Sequence, residues 1–151
     1  MRKVPLGTTI AYGMPGLGAG YMYLLMSLYV MKFSTDVLLI APAVMGVIFS
    51  ISRIWDAVSD PIAGYLSDRT TFKFGRRRTW MLISFIPISF GFLAVFSPPE
   101  SMQGQSLDLW MMIAILSFYS AITLLNVPHM ALGAELSEDY HERTRLFGVR
   151  H

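Results

Sequence analysis

Three ionisable residues, Arg53, Asp56 and Asp60, stand inside an otherwise apolar run. Their spacing of i, i+3 and i+7 places all three on one face if the run is helical. Two carboxylates one turn apart can offer oxygens to a hard cation such as Na+. They can instead share a proton, because like charges in a low dielectric raise one of the two pKa values. Arg53 could also satisfy the pair as a purely structural partner. A second charged group follows: Gly64, Asp68 and Arg69, then Gly75, Arg76, Arg77 and Arg78. Its chemistry is that of ion pairs that can be made in one state and broken in another; the same arginines could equally serve only to orient the chain across a bilayer.

The elements that must carry these groups read as membrane helices. Of the 151 residues, 54% are hydrophobic and only 15% charged, with a mean hydropathy of +0.50; a soluble chain of this size carries about 25% charge. Apolar segments span approximately 5–31, 37–66, 79–96 and 108–134, each of a length to cross about 30 Å of hydrocarbon. A charge at mid-bilayer costs roughly 2.5–3.5 kcal/mol even on the lenient insertion scale, so the Arg53 face must look into a bundle or a watery cavity. The connections 67–78 and 135–151 are basic or mixed, whereas 97–107 has no Lys or Arg. With the amino terminus in the cytoplasm, Arg2, Lys3, Arg69, Lys73, Arg76 to Arg78, Arg143, Arg145 and Arg150 lie inside and Lys32 outside, as the positive-inside rule requires of four spans. Gly16 and Gly20 form a small-xxx-small pair suited to close helix approach, and Pro15 is expected to bend the first span. Lys32 to Asp36 reads as a polar turn, with Ser34 or Thr35 capping the second helix and Asp36 in its first turn.

Other chemistries fare poorly. The chain has no cysteine, which removes disulfides and thiolate metal sites. His129 and His141 lack metal-ligand spacing with any carboxylate. Gly16, Gly18 and Gly20 follow no strand and precede no lysine, so they do not make a phosphate loop. The basic loop is too short to argue for nucleic acid. No second span offers an acid to pair with Asp56 and Asp60 for hydrolysis, and no enzyme activity or cofactor is expected.

Gly64-x-x-x-Asp68-Arg69 followed by Gly75-Arg76-Arg77-Arg78 resembles the loop between the second and third helices of the major facilitator superfamily. With Arg53-Ile-Trp-Asp56-x-x-x-Asp60-Pro61 before it, the chain is similar to the glycoside–pentoside–hexuronide:cation symporters. Ser34 to Val37, Asn126-Val127-Pro128, and Glu135 to Arg145 with its Glu142-Arg143-Thr144 match the same family, so four motifs recur in order over nearly the whole chain. The resemblance implies an all-α membrane protein whose four helices are the front part of a 12-helix fold, in the inner or plasma membrane. It implies a cation site at Asp56 and Asp60, with Thr123 and Asn126 of the fourth helix adding oxygens. Asn126 replaces an acid of the enteric sugar carrier and supplies a neutral carbonyl oxygen.

For the solute, Tyr23, Arg53 and Met130 are the expected lining residues, with Trp55 and His129 as further aromatic candidates. Gly20 and Met130 stand where the enteric carrier has a sugar-binding acid and aromatic. The resemblance further implies a cytoplasmic gate of Gly64, Asp68, Arg69, Gly75, Arg76, Arg77, Arg78 and Glu135. The expected activity is alternating-access symport of a small organic solute, a sugar or glycoside, coupled to Na+ or H+; alternatives are a lysophospholipid or other amphiphile carrier and a non-transporting structural fragment. Expected partners are the solute, the lipid bilayer and the remaining helices of the same transporter, since four helices enclose too little wall for a polar path.

Overall fold

The computed structural model describes residues 5–71 and 75–136. Over that range the chain is all-helical: α1 runs Leu6–Lys32, α2 Pro42–Arg69, α3 Arg76–Phe96 and α4 Gln105–Leu136. The expectations for Arg2, Lys3, Lys73, His141, Arg143, Arg145, Arg150, the motif beyond Leu136 and the side chain of Arg76 lie outside the described residues.

Length and composition alone qualify two helical stretches to cross a membrane, Arg77–Phe96 and Gln105–Gly133. α1 is diluted by glycines and tyrosines, and α2 by the charges of Arg53, Asp56 and Asp60. Large apolar side chains cover the outer faces, among them Leu17, Leu24, Leu28, Ile54, Phe90 and Leu93, the reverse of a water-facing surface.

α4 is the central post. α3 packs along it most extensively, α2 on its other flank, and α1 touches its neighbours sparingly. The α3–α4 seam is tight because Gly91 has no side chain: a Cβ there would lie 2.9 Å from Phe118 Cα and 3.0 Å from its backbone nitrogen, closer than real contacts allow. Phe118, Ile115, Leu125, Ile88 and Val95 fill the seam and are fully buried.

The close approach expected at Gly16 and Gly20 finds no near neighbour at Gly20 within these four helices, and Gly64 is not tightly packed either. A Cβ at Gly64 would sit 3.6 Å from Val127 Cγ1, ordinary contact, and one at Gly20 would meet nothing within 4 Å among the described residues. Neither glycine is required for packing within these four helices; Gly91 is.

The α1–α2 connection also departs from the expected capped turn. α1 runs on through a π-helical turn, Phe33–Val37, closed by Leu38 N–H donating to Phe33 C=O. Thr35 Oγ1 donates back to Met31 C=O at 3.0 Å, and Ser34 is wholly buried. The chain reverses through Leu39 at φ 57°, where Ile40 N–H meets Ser34 C=O at 2.9 Å. α2 then starts on Pro42, with no side-chain cap at Ala41; proline at N1 has the helical φ built in and lacks an N–H that would have no helical partner there. Ser34 and Thr35 therefore end α1, and Asp36 precedes α2 instead of joining its first turn.

Candidate functional site: a carboxylate pocket and an ion-paired helix end

α2 carries Asp56 and Asp60 one turn apart, and α4 carries Tyr119, Thr123, Asn126 and Met130 at i, i+4, i+7 and i+11. Where the two faces meet, with Tyr23 from α1, they enclose a hollow of about 200 Å³. Its walls include Tyr23, Asp56, Asp60, Tyr119, Thr123, Asn126 and Met130. All four residues expected to hold a cation thus border one small space, with two of the three expected solute-lining residues. Thr123 Oγ1 donates to Asp60 Oδ1 at 3.0 Å, fixing one carboxylate across the α2–α4 seam.

Arg53, the third expected lining residue, stands at the edge. Its Nη1 lies 3.5 Å from Asp56 Oδ2 and donates to Tyr23 Oη at 3.4 Å. Its guanidinium carbon sits 5.5 Å from the centre of the Tyr119 ring, within cation–π range. The other oxygen of Asp56, Oδ1, is buried and has no hydrogen-bond partner among the described residues. A buried carboxylate oxygen in that condition is costly. The polar side chains lining the pocket are oxygen-rich: two carboxylates, the Thr123, Tyr23 and Tyr119 hydroxyls and the Asn126 amide. That set suits a hard cation or a proton; among the described residues no group of three or more His, Asp or Glu side chains could hold a metal by itself.

A second hollow of about 580 Å³ lies beside the first, lined by Gly16, Leu17, Gly20, Tyr23, Leu24 and Asn126 among others. Tyr23 and Asn126 border both spaces. The remaining aromatic candidates are used elsewhere. Trp55 Nε1 donates to Ser120 Oγ at 2.7 Å. His129 is fully buried; its Nε2 meets Tyr12 C=O at 2.8 Å while Tyr12 Oη donates to His129 C=O at 3.1 Å. A carbonyl only accepts, so Nε2 carries a proton, and the ring tacks α1 to α4 rather than facing either hollow.

At the far end of α2 the second charged group assembles around one arginine. Arg77 at the start of α3 reaches Glu135 of α4, with Nη2 at 2.8 Å and Nε at 3.1 Å from Oε1, and Asp68 of α2 at 3.4 Å. Its side chain is only 13% exposed. Gly75 adopts φ 100°, which turns the chain into α3. Arg78 is exposed on the α1 side of α3 and Arg69 stacks on the Tyr65 ring at 4.5 Å. The pairing expected of the arginine run is thus carried, among the described side chains, by Arg77.

Sequence reasoning missed Tyr119. The signal was present: stepping back four residues from Thr123 on the same helical stripe lands on it.

Apolar helices around a carboxylate-lined pocket are the arrangement expected of a polytopic membrane transporter. Comparison with known proteins agrees. The profile of the family described as "MFS/sugar transport protein" matches residues 11–151. An uncharacterized symporter of Synechocystis sp. is 36% identical over 98% of this chain and 28% of its own length. The putative glycoside/cation symporter YagG of Escherichia coli is 31% identical over 97% of this chain and 32% of its own. Sodium-dependent lysophosphatidylcholine symporter 1-A of Danio rerio is 33% identical over 74% of this chain and 21% of its own.

The chain belongs to the MFS/sugar transport protein family, of the glycoside–pentoside–hexuronide:cation symporter type. It spans about a third or less of the length of the relatives just named. Family membership makes it a membrane protein of the transporter class, not an enzyme.

Proposed function

We propose that this chain is the front part of a 12-helix, cation-coupled symporter in the plasma membrane, with its amino terminus in the cytoplasm and spans near 5–31, 37–66, 79–96 and 108–134. The observation that carries the reading is the pocket lined by Asp56, Asp60, Thr123 and Asn126, together with the buried Asp56 Oδ1 that has no hydrogen-bond partner among the described residues. A cation entering there, Na+ or H+, neutralises charge held in a low dielectric. The shared walls Tyr23 and Asn126 give it mechanical contact with a solute in the larger hollow. The Asp68–Arg77–Glu135 cluster, with the gate residues Gly64, Arg69, Gly75, Arg76 and Arg78 expected from the sequence, latches the cytoplasmic end and opens as access alternates.

The solute is a sugar or glycoside, in line with the name of the YagG relative. In the complete protein, Asp56→Asn abolishes Na+- or H+-stimulated uptake of labelled glycosides; unchanged stimulation overturns the cation assignment. A second reading, an amphiphile such as a lysophospholipid, is favoured by Gly20 in the wall of the larger hollow, by the exposed Met130 and by the relative named for lysophosphatidylcholine. Competition by lysophosphatidylcholine but not by glycosides selects it.

A further inference from the structure

An arginine three residues before an aspartate on one helix can fork onto it, engaging both carboxylate oxygens. Arg53 does not. Its single approach to Asp56 is at 3.5 Å and touches Oδ2 alone, while Oδ1 stays buried with no hydrogen-bond partner among the described residues. The guanidinium is drawn aside by groups from the other two helices, the Tyr23 hydroxyl of α1 and the Tyr119 ring of α4.

The two anchors differ in strength. The Tyr23 contact is long for a hydrogen bond, at 3.4 Å. Tyr119 is fixed: it is 3% exposed, held edge-on by Tyr23 at 6.0 Å and by Phe118 at 5.8 Å. The Arg53 side chain, by contrast, is 59% exposed and packed less tightly. A rigid ring beside a less confined cation biases where the cation rests.

We propose that Tyr119 is a positioning residue that parks the Arg53 guanidinium off Asp56, keeping one carboxylate oxygen open for the coupling cation. The inference rests on the pocket being the cation site. Without the ring, Arg53 closes onto both oxygens and becomes a tethered competitor of the ion.

The test uses the complete protein in proteoliposomes, titrated with NaCl against choline chloride at fixed pH and with acid at fixed NaCl. Tryptophan fluorescence is the readout, since Trp55 adjoins Asp56, and the ion to which the parent responds is carried through the variants. Tyr119→Leu raises the half-saturating ion concentration roughly tenfold, equivalent to about 1.4 kcal/mol. Tyr119→Phe, which keeps the ring face, restores it to within about twofold. In an Arg53→Gln background, Tyr119→Leu shifts it by less than about twofold, because nothing remains to be parked. An equal rise in both backgrounds shows that the ring acts through packing and overturns the proposal, as does no rise in the single variant. A parent that responds to neither ion overturns the cation-site reading itself, and the inference with it.

Discussion

The two charged clusters of this chain are built from the same residue types and are left in opposite conditions. At the pocket, Arg53 touches one oxygen of Asp56, and the other stays buried without a hydrogen-bond partner among the described residues. At the helix end, Arg77 lies within 3.4 Å of Asp68 and 2.8 Å of Glu135, joining α2, α3 and α4. The first arrangement is incomplete in a way an ion can complete. In the second, both acids already lie within reach of their arginine, and the contact can only be broken. Position explains the difference: Arg53 and its acid share one helix and are prised apart by tyrosines of two others, whereas Arg77 stands between acids from separate helices.

One amide substitution made in both clusters gives the largest contrast. Asp56→Asn is expected to remove cation stimulation altogether, while Asp68→Asn lowers maximal uptake several-fold and leaves the half-saturating cation concentration close to that of the parent. Cation titrations of uptake separate the two outcomes, and loss of cation response in both variants would erase the distinction.

Gly91→Ala comes next. Its Cβ has no room against the Phe118 backbone, so α3 must lift from α4, at a cost of about 1–3 kcal/mol. Thermal unfolding in detergent should fall by several degrees. Arg77 sits on α3 and the pocket lies between α2 and α4, so the half-saturating cation concentration should move by less than about twofold.

Removing the latch arginine is expected to have a smaller effect. Arg77→Gln leaves Asp68 and Glu135 without their shared cation, worth about 1 kcal/mol at this partly exposed site after solvent screening. The alkylation rate of a Ser67→Cys reporter, buried in the parent, should rise roughly fivefold, whereas Arg78→Gln should leave it unchanged. Equal effects of the two arginines would return the run to a role in topology alone.

Thr123→Val is the mildest change. It removes the hydroxyl that donates to Asp60 at nearly constant volume, costing about 1 kcal/mol. The half-saturating cation concentration should rise by no more than about fivefold, with the helix-end reporter unaffected.

Much of this was legible in order along the chain. Charges that recur at i, i+3 and i+7 within an apolar run declare a polar helical face, and the Asp68 and Gly75–Arg78 motifs declare their loop. The reading failed where a local pattern had two physical solutions. Ser34, Thr35 and Asp36 look like a cap for the following helix, yet a π-helical turn and Pro42 let the same residues finish the preceding one. Gly20 looks like a contact point, yet among the described residues the tight contact falls on Gly91.

By itself, the sequence determined that the chain is helical and membrane-embedded, and which α2 residues are charged, because hydropathy and helical period are properties of a single strand of residues. Only the tertiary structure decided that Arg77 rather than Arg78 bridges two helices, that His129 tacks α1 to α4, and that Tyr119 stands over Arg53. Those outcomes depend on the rotation and offset of one helix against another, which are set by side-chain packing across the seams.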